Sequence, residues 1–135
     1  MTKAHTYRVG VIGAGSIAQQ CHLRGYRDLP NVKLVVFADP AKRRHEEMAA
    51  SFPGVNGYRD YRRMLEHEEL DVVSVCAPNK VHAPASIAAL EAGCHVLCEK
   101  PMATTLREAD AMIAAARKAR KKLMVGFTHR LFSGP

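Results

Sequence analysis

Apolar and polar positions fall into two rhythms that alternate along the chain. Short, nearly continuous apolar runs occur at residues 32–38, 71–76, 95–98 and 123–127, after a first one around Val9, Val11 and Ile12. Runs of this kind, rich in β-branched residues, suit strands buried on both faces. Between them, apolar residues recur three and four positions apart, the spacing of a helix that buries one side. The pattern predicts helices over about residues 16–27, 41–51 and 61–67, with a weak extended segment at Val55. A fourth helix carries Val81, Ala85, Ala88, Ala89 and Ala92 on its apolar side, and a fifth carries Leu106, Ala109, Ile113 and Ala116.

The residues between these elements agree with them. Pro30-Asn31 and Pro53-Gly54 break the chain, and Asp39-Pro40 ends the second run, with proline suited to the first turn of the helix that follows. Asp60 is placed to cap the third helix, and Gly93 to close the fourth in a left-handed conformation. Thr105-x-x-Glu108 reads as a capping box. Five clear strands and one weak one, each separated from the next by a helix, predict an α/β fold. The expected form is a doubly wound, mostly parallel sheet with right-handed crossovers and helices on both faces. No linker, repeat or low-complexity tract interrupts it, so residues 1–135 are read as one domain.

Composition narrows the function classes. Apolar content of 47% and charged content of 24% are those of a soluble globular protein. No apolar stretch has the length of a membrane span, and the start, MTKAHTYRV, lacks a signal peptide's hydrophobic region, so a cytoplasmic protein is expected. Cys21, Cys76, Cys94 and Cys98 form no CxxC pair, which argues against zinc, any other metal site or a disulfide framework. Cys76 and Cys98 lie in strand patterns, where a thiol acts as a small buried hydrophobe. The net charge of +7 comes from dispersed clusters at residues 42–44, 62–63 and 117–122, without interleaved aromatics or a base-reading motif. Nucleic acid is therefore not the expected partner.

The candidate chemistry begins after the first strand. Gly13-Ala14-Gly15-Ser16-Ile17-Ala18 is a G-x-G-x-x-A turn between a strand and a helix, the setting in which such a turn binds a dinucleotide. Gly13 permits the tight turn, Gly15 lets backbone approach a pyrophosphate, and Ala18 lets helix and strand pack closely. Ser16 and Ile17 open the helix, whose unpaired N–H groups and dipole favour phosphate. Asp39, at the end of the second strand and 21 positions beyond Ala18, matches the acid that accepts hydrogen bonds from an adenosine ribose. A carboxylate there favours NAD over NADP, although Lys42, Arg43 and Arg44 nearby would soften its repulsion of a 2′-phosphate. Asp39 also reads as a helix cap, and the two roles are compatible.

Ligands of such sheets bind at the carboxyl ends of the strands. Ala77-Pro78-Asn79 follows one later strand and Glu99-Lys100-Pro101 the next. Asn79 and His82 are polar groups placed over the crevice, His82 reading equally as a cap or surface residue. Lys100, at a strand's carboxyl end, can hold a hydroxyl or carbonyl oxygen or relay a proton; a salt bridge with Glu99 is the structural alternative. Tyr58 and Tyr61 are not followed four residues on by lysine, which argues against a short-chain dehydrogenase.

The segments GVIGAGSIA, ADP, VSVCAPNKVH, AALEAGCHVLCEKPMATT and VGFTHR together resemble the N-terminal half of the Gfo/Idh/MocA oxidoreductases, over nearly the whole chain. The EAGxHVxxEKP stretch is far more specific than the glycine turn. The resemblance implies a Rossmann fold in which Gly13, Gly15 and Ala18 hold the pyrophosphate and Asp39 the ribose. Ala77, Pro78, Asn79 and His82 would border the nicotinamide, Glu99 and Pro101 would frame the cleft, and Lys100 would be the catalytic lysine. Arg130 matches an arginine that follows the family's last strand, whereas Leu131 and the spacing to Pro135 fit it less well. The implied reaction is hydride transfer between NAD, or alternatively NADP, and a secondary alcohol or carbonyl of a sugar, cyclitol or similar small molecule. Family members continue into a second domain that supplies substrate pocket and oligomer interface, which is expected to be absent from this chain. The alternative expectation is a cofactor-binding module with no turnover of its own.

Overall fold

Strand residues alternate between two apolar layers, and this alternation builds the molecule. In the first strand Val11 enters one core cluster and Ile12 the other; in the second, Phe37 and Val36 divide the same way. The sheet is thus covered on both faces, as nearly continuous apolar runs require. The computed structural model describes residues 4–131 and 134.

The chain runs β1 (Tyr7–Ile12), α1 (Leu23–Arg27), β2 (Val32–Ala38), α2 (Lys42–Ser51), β3 (Asn56–Tyr58) and α3 (Tyr61–His67). It continues through β4 (Val72–Val75), α4 (Asn79–Glu91), β5 (His95–Cys98), α5 (Leu106–Ala119) and β6 (Leu123–Val125), ending in a 3-10 turn (Thr128–Leu131). A π-helical turn (Ala18–His22) leads into α1, so residues 16–27 are helical throughout, as the pattern predicts. The six strands lie in the order β3-β2-β1-β4-β5-β6, every neighbouring pair parallel. This is the doubly wound α/β arrangement expected from the sequence. One face is covered by α1 and α2, whose Leu23 and Met48 are fully buried; the other by α3, α4 and α5, through Met64, Leu90 and Met112.

The expected caps form. Asp60 accepts the Arg62 N–H at 2.9 Å, and Thr105 Oγ1 accepts the Glu108 N–H at 3.1 Å. Gly93 has φ of +87°. Five details differ from the sequence reading. On α5, Leu106 is 86% and Ile113 39% exposed, because Met112, one position away, sets the buried phase together with Ala116. On α4, Ala92 lies beyond the last helical residue and is exposed. Pro40 stands outside the first turn of α2, whose N-cap is Ala41. Cys76 is buried just past β4 rather than within it, and β6 stops at Val125, two residues short of Phe127. No helix among the described residues is long and apolar enough to cross a membrane.

Candidate functional site

The strand order reverses direction between β1 and β4, and there the carboxyl ends of the strands splay to leave a crevice. The glycine turn after β1 floors it. Gly13 has φ of +88°, and a Cβ on it would stand 2.6 Å from the Ala77 nitrogen, so only glycine fits against the segment leaving β4. Its N–H donates to the Ala38 carbonyl at 2.7 Å, tying the turn to the end of β2. Gly15 is the opposite case. A Cβ there would meet nothing within 4 Å, so the space beside this backbone is open. A pyrophosphate suits that space: bare backbone faces it, and the exposed Ser16 and Ile17 begin the helix beside it. Ala18 is fully buried where the helix meets the sheet.

Asp39 is held from four sides. Its Oδ2 accepts the Ala14 N–H and its Oδ1 the Ala41 N–H, both at 2.9 Å. Its backbone nitrogen donates to the Tyr58 carbonyl at 2.9 Å, and its carbonyl accepts from His45 Nε2 at 2.8 Å. The carboxylate thus both steadies the glycine turn and stops β2 from running on, and each oxygen keeps a lone pair for a further donor. The cations that follow are answered along α2: Lys42 by Glu46 at 3.5 Å, Arg43 and Arg44 by Glu47 at 3.1 and 2.8 Å. The Arg44 bond is the main reason the Glu47 carboxyl lies below its ordinary value.

Beside Asp39 lies a mainly apolar cavity of about 510 Å³, walled by Ala38, Pro40, Ala77 and Pro78, with Arg59 and Lys80 on its lining. Its size is that of a nucleoside-sized ligand site. Arg59 and Lys80 were not legible as site residues from sequence. The signal available was Arg59's place directly after β3, whose end is paired to the end of β2.

Across the crevice, Asn79 opens α4 after Pro78, and Asn79 is exposed. His82 is not over the crevice. It is 1% exposed, with Nδ1 at 2.7 Å from the Pro101 carbonyl and Nε2 at 2.8 Å from the Ala77 carbonyl, so it lies wedged between the two cleft turns, where a neutral ring donates to one carbonyl and abuts the other. The Lys100–Pro101 peptide is cis. Lys100 is exposed just past the end of β5, and among the described residues no ion pair or hydrogen bond engages its ammonium. The alternative partner, Glu99, is taken elsewhere. Its Oε1 lies 2.7 Å from His22 Nε2, both side chains being nearly buried. His22 Nδ1 is 3.2 Å from Ser74 Oγ, which is 2.6 Å from the Tyr26 hydroxyl. Burial pushes the Tyr26 phenol up from its ordinary value, against a smaller opposing effect of the Ser74 bond, so it stays a donor. Sequence reasoning missed His22, Tyr26 and Ser74. A helix of ordinary pitch gives no reason to aim His22 inward, and the Leu23 N–H bonds back to the Ala18 carbonyl, five residues away.

Three of the four cysteines, Cys76, Cys94 and Cys98, are buried. Burial holds the Cys76 thiol far above its ordinary value and pushes Cys98 up to about 11. Arg130 packs over the Phe127 ring at 5.6 Å in the last turn, where Leu131 is exposed; Pro135 lies outside the described residues.

Comparison with known proteins agrees with this geometry. A family model described as an oxidoreductase family with an NAD-binding Rossmann fold matches residues 7–127. The D-glucoside 3-dehydrogenase of Escherichia coli is 40% identical over 91% of this chain, and the match takes up 35% of that protein. The crystal structure of myo-inositol 2-dehydrogenase from Lactobacillus plantarum superposes with a TM-score of 0.85 at 27% identity, over 95% of this chain and 38% of that one. A 3-ketoreductase variant from Actinomadura kijaniata, in complex with NADP, gives 0.83 at 32% identity, over 94% and 42%. The chain thus spans about a third of the length of the curated relatives it matches. On these matches and on the sheet that carries the crevice, the chain belongs to the Gfo/Idh/MocA oxidoreductases and has their NAD-binding Rossmann fold.

Proposed function

We propose that this chain is the cofactor-binding part of an NAD-dependent dehydrogenase. In it, hydride passes between the nicotinamide and a secondary alcohol carbon, or the matching carbonyl, of a sugar, cyclitol or similar small molecule. One observation carries the reading: along the carboxyl edge of one parallel sheet stand a fixed acid after β2, an unengaged lysine after β5 and, after β1 between them, the Gly15 backbone with open space beside it. In this reading Gly13, Gly15, Ser16, Ile17 and Ala18 seat the pyrophosphate. Asp39 receives the adenosine ribose hydroxyls on its remaining lone pairs. Ala77, Pro78 and Asn79 border the nicotinamide, His82 supports that wall from below, and Glu99 and Pro101 frame it.

The cofactor, when bound, supplies the hydride chemistry. Lys100 is the catalytic residue of this reading: its ammonium steadies the reacting oxygen and takes part in moving its proton. NAD is favoured over NADP because Lys42, Arg43 and Arg44 are already answered by acids on α2, leaving the Asp39 carboxylate to oppose a 2′-phosphate. NADP remains the second cofactor of this reading. Substrate-binding walls, and any homo-oligomer interface, are assigned to a further domain corresponding to the parts of the relatives outside the match. Four free thiols, three of them buried, suit a cytoplasmic setting.

Calorimetric titration of the chain with NAD and NADP tests the proposal. NAD should bind, NADP more weakly, and Asp39→Ala should lower NAD affinity about tenfold while narrowing the preference. No binding of either dinucleotide would overturn the reading, and unchanged affinities in Asp39→Ala would remove Asp39 from it.

A further inference from the structure

The polar chain Tyr26–Ser74–His22–Glu99 joins the first helix, across β4, to the turn after β5 through the protein's interior. Its hydrogens follow from a donor count. Glu99 as a carboxylate only accepts, so His22 Nε2 donates to it. With the ring neutral, Nδ1 accepts from the Ser74 hydroxyl, and Ser74 accepts in turn from Tyr26. Every member is then satisfied and every bond runs one way, toward Glu99. Beyond it, Glu99 Oε2 accepts the Lys100 backbone N–H at 3.2 Å. The helix that leaves the glycine turn is therefore joined, by one buried imidazole, to the turn that carries Lys100.

Nothing in the cofactor reading needs this connection, and a buried ionisable pair is a weak source of stability in itself. Its placement gives it another use. The ring enters from the π-helical turn, four residues after Ala18, and ends on the carboxylate next to the unengaged lysine. We propose that His22 is a positioning residue for the nicotinamide half of the site, a role that rests on the cofactor assignment above. It fixes Glu99 and, through Glu99, the backbone at Lys100, so the wall beside the nicotinamide is set by the helix whose start meets the pyrophosphate. The adenosine half, held by Asp39 and the Gly13 turn, does not use this link.

The test compares a ligand that reaches both halves with one that lacks the nicotinamide. NADH and ADP-ribose are titrated against the chain, His22→Ala and His22→Gln, with the emission of the dihydronicotinamide recorded for NADH. His22→Ala should weaken NADH about fivefold or more and ADP-ribose less than about twofold. It should also lose the emission change that accompanies NADH binding. His22→Gln, whose Nε2 can still donate to Glu99, should recover most of both signals. A purely structural role would weaken the two ligands equally, and that result, or no change in either, overturns the proposal. If His22→Ala does not fold, Glu99→Gln replaces it: it keeps the side chain's shape, and an NADH-selective loss supports the assignment, whereas equal affinities reject it. A parent chain that binds neither ligand overturns the cofactor assignment itself, whereas a parent that binds both with no selective loss in the variants overturns only the role of His22.

Discussion

The two halves of the crevice are built on different plans. On the β2 side the walls are backbone and small apolar side chains, and one carboxylate does the tying, from its place at a strand end. On the β5 side the surface residues stand on buried polar groups: His82 lies between two carbonyls, and the Glu99 carboxylate is held by a ring from another helix. The first half can lose a contact to water and be resolvated. The second cannot, because its polar atoms have no alternative partner once a neighbour is removed. The comparison predicts that damage on the two sides differs in kind: lost affinity alone on one, lost stability together with lost nicotinamide-side affinity on the other.

The largest effect should come where the halves meet. Gly13→Ala combines a positive φ with a Cβ driven against the Ala77 backbone, and should cost about 3 kcal/mol or more in denaturant unfolding. Gly15→Ala, in the same turn, should leave the unfolding midpoint unchanged, since its Cβ enters open space. Equal midpoints for the two variants would break the division of the turn into a structural and a ligand-facing glycine. The next effect sharpens the contrast directly. Ser74→Ala removes the oxygen shared by Tyr26 and His22 and should lower stability by about 2–3 kcal/mol, measured the same way. A loss under about 0.5 kcal/mol would show that the β5 side is no more dependent on its interior than the β2 side.

The smallest effect serves as a control at the far end of the sheet. The Arg8 backbone N–H, with desolvation opposing it and His5 assisting, holds the Asp71 carboxyl below its ordinary value. A carboxyl whose folded value is depressed contributes stability above its unfolded value, and that contribution is lost as pH falls through the folded one. The stability gap between the parent and Asp71→Asn should therefore shrink below about pH 4. A gap that stays constant down to about pH 3 would remove Asp71 as a source of acid sensitivity.

Legibility in the sequence divides along the same line. The alternation of strands and helices, the layers on both faces of the sheet, the glycine turn and Asp39 follow from local pattern, because each depends on neighbours in sequence or on the period of burial. The phase of α5 did not, since Leu106 and Ile113 fit a stripe as well as Met112 does, and only packing against α4 and the sheet chooses between them. His82 was visible as a residue but not as a brace, for its two partners lie at Ala77 and Pro101, in turns joined only by the fold. His22, Ser74 and Tyr26 carry no motif; they meet because β4 lies beneath the first helix, from positions up to 52 residues apart. Chemistry spread across elements in this way becomes readable only after the topology is known.

The turn at Ala18–His22 makes helix pitch a specification. The i to i+5 bond from Leu23 to Ala18 takes in one residue more than an ordinary turn, so straightening this turn at unchanged chain length would swing the later side chains by up to about 100°, one residue's advance. The glycines would be untouched, and a motif search would score such a chain as intact, yet the imidazole would face a different neighbour. Anyone grafting this crevice onto another scaffold, or aligning it with a distant relative, has to preserve the pitch of this turn as well as the identities of its residues.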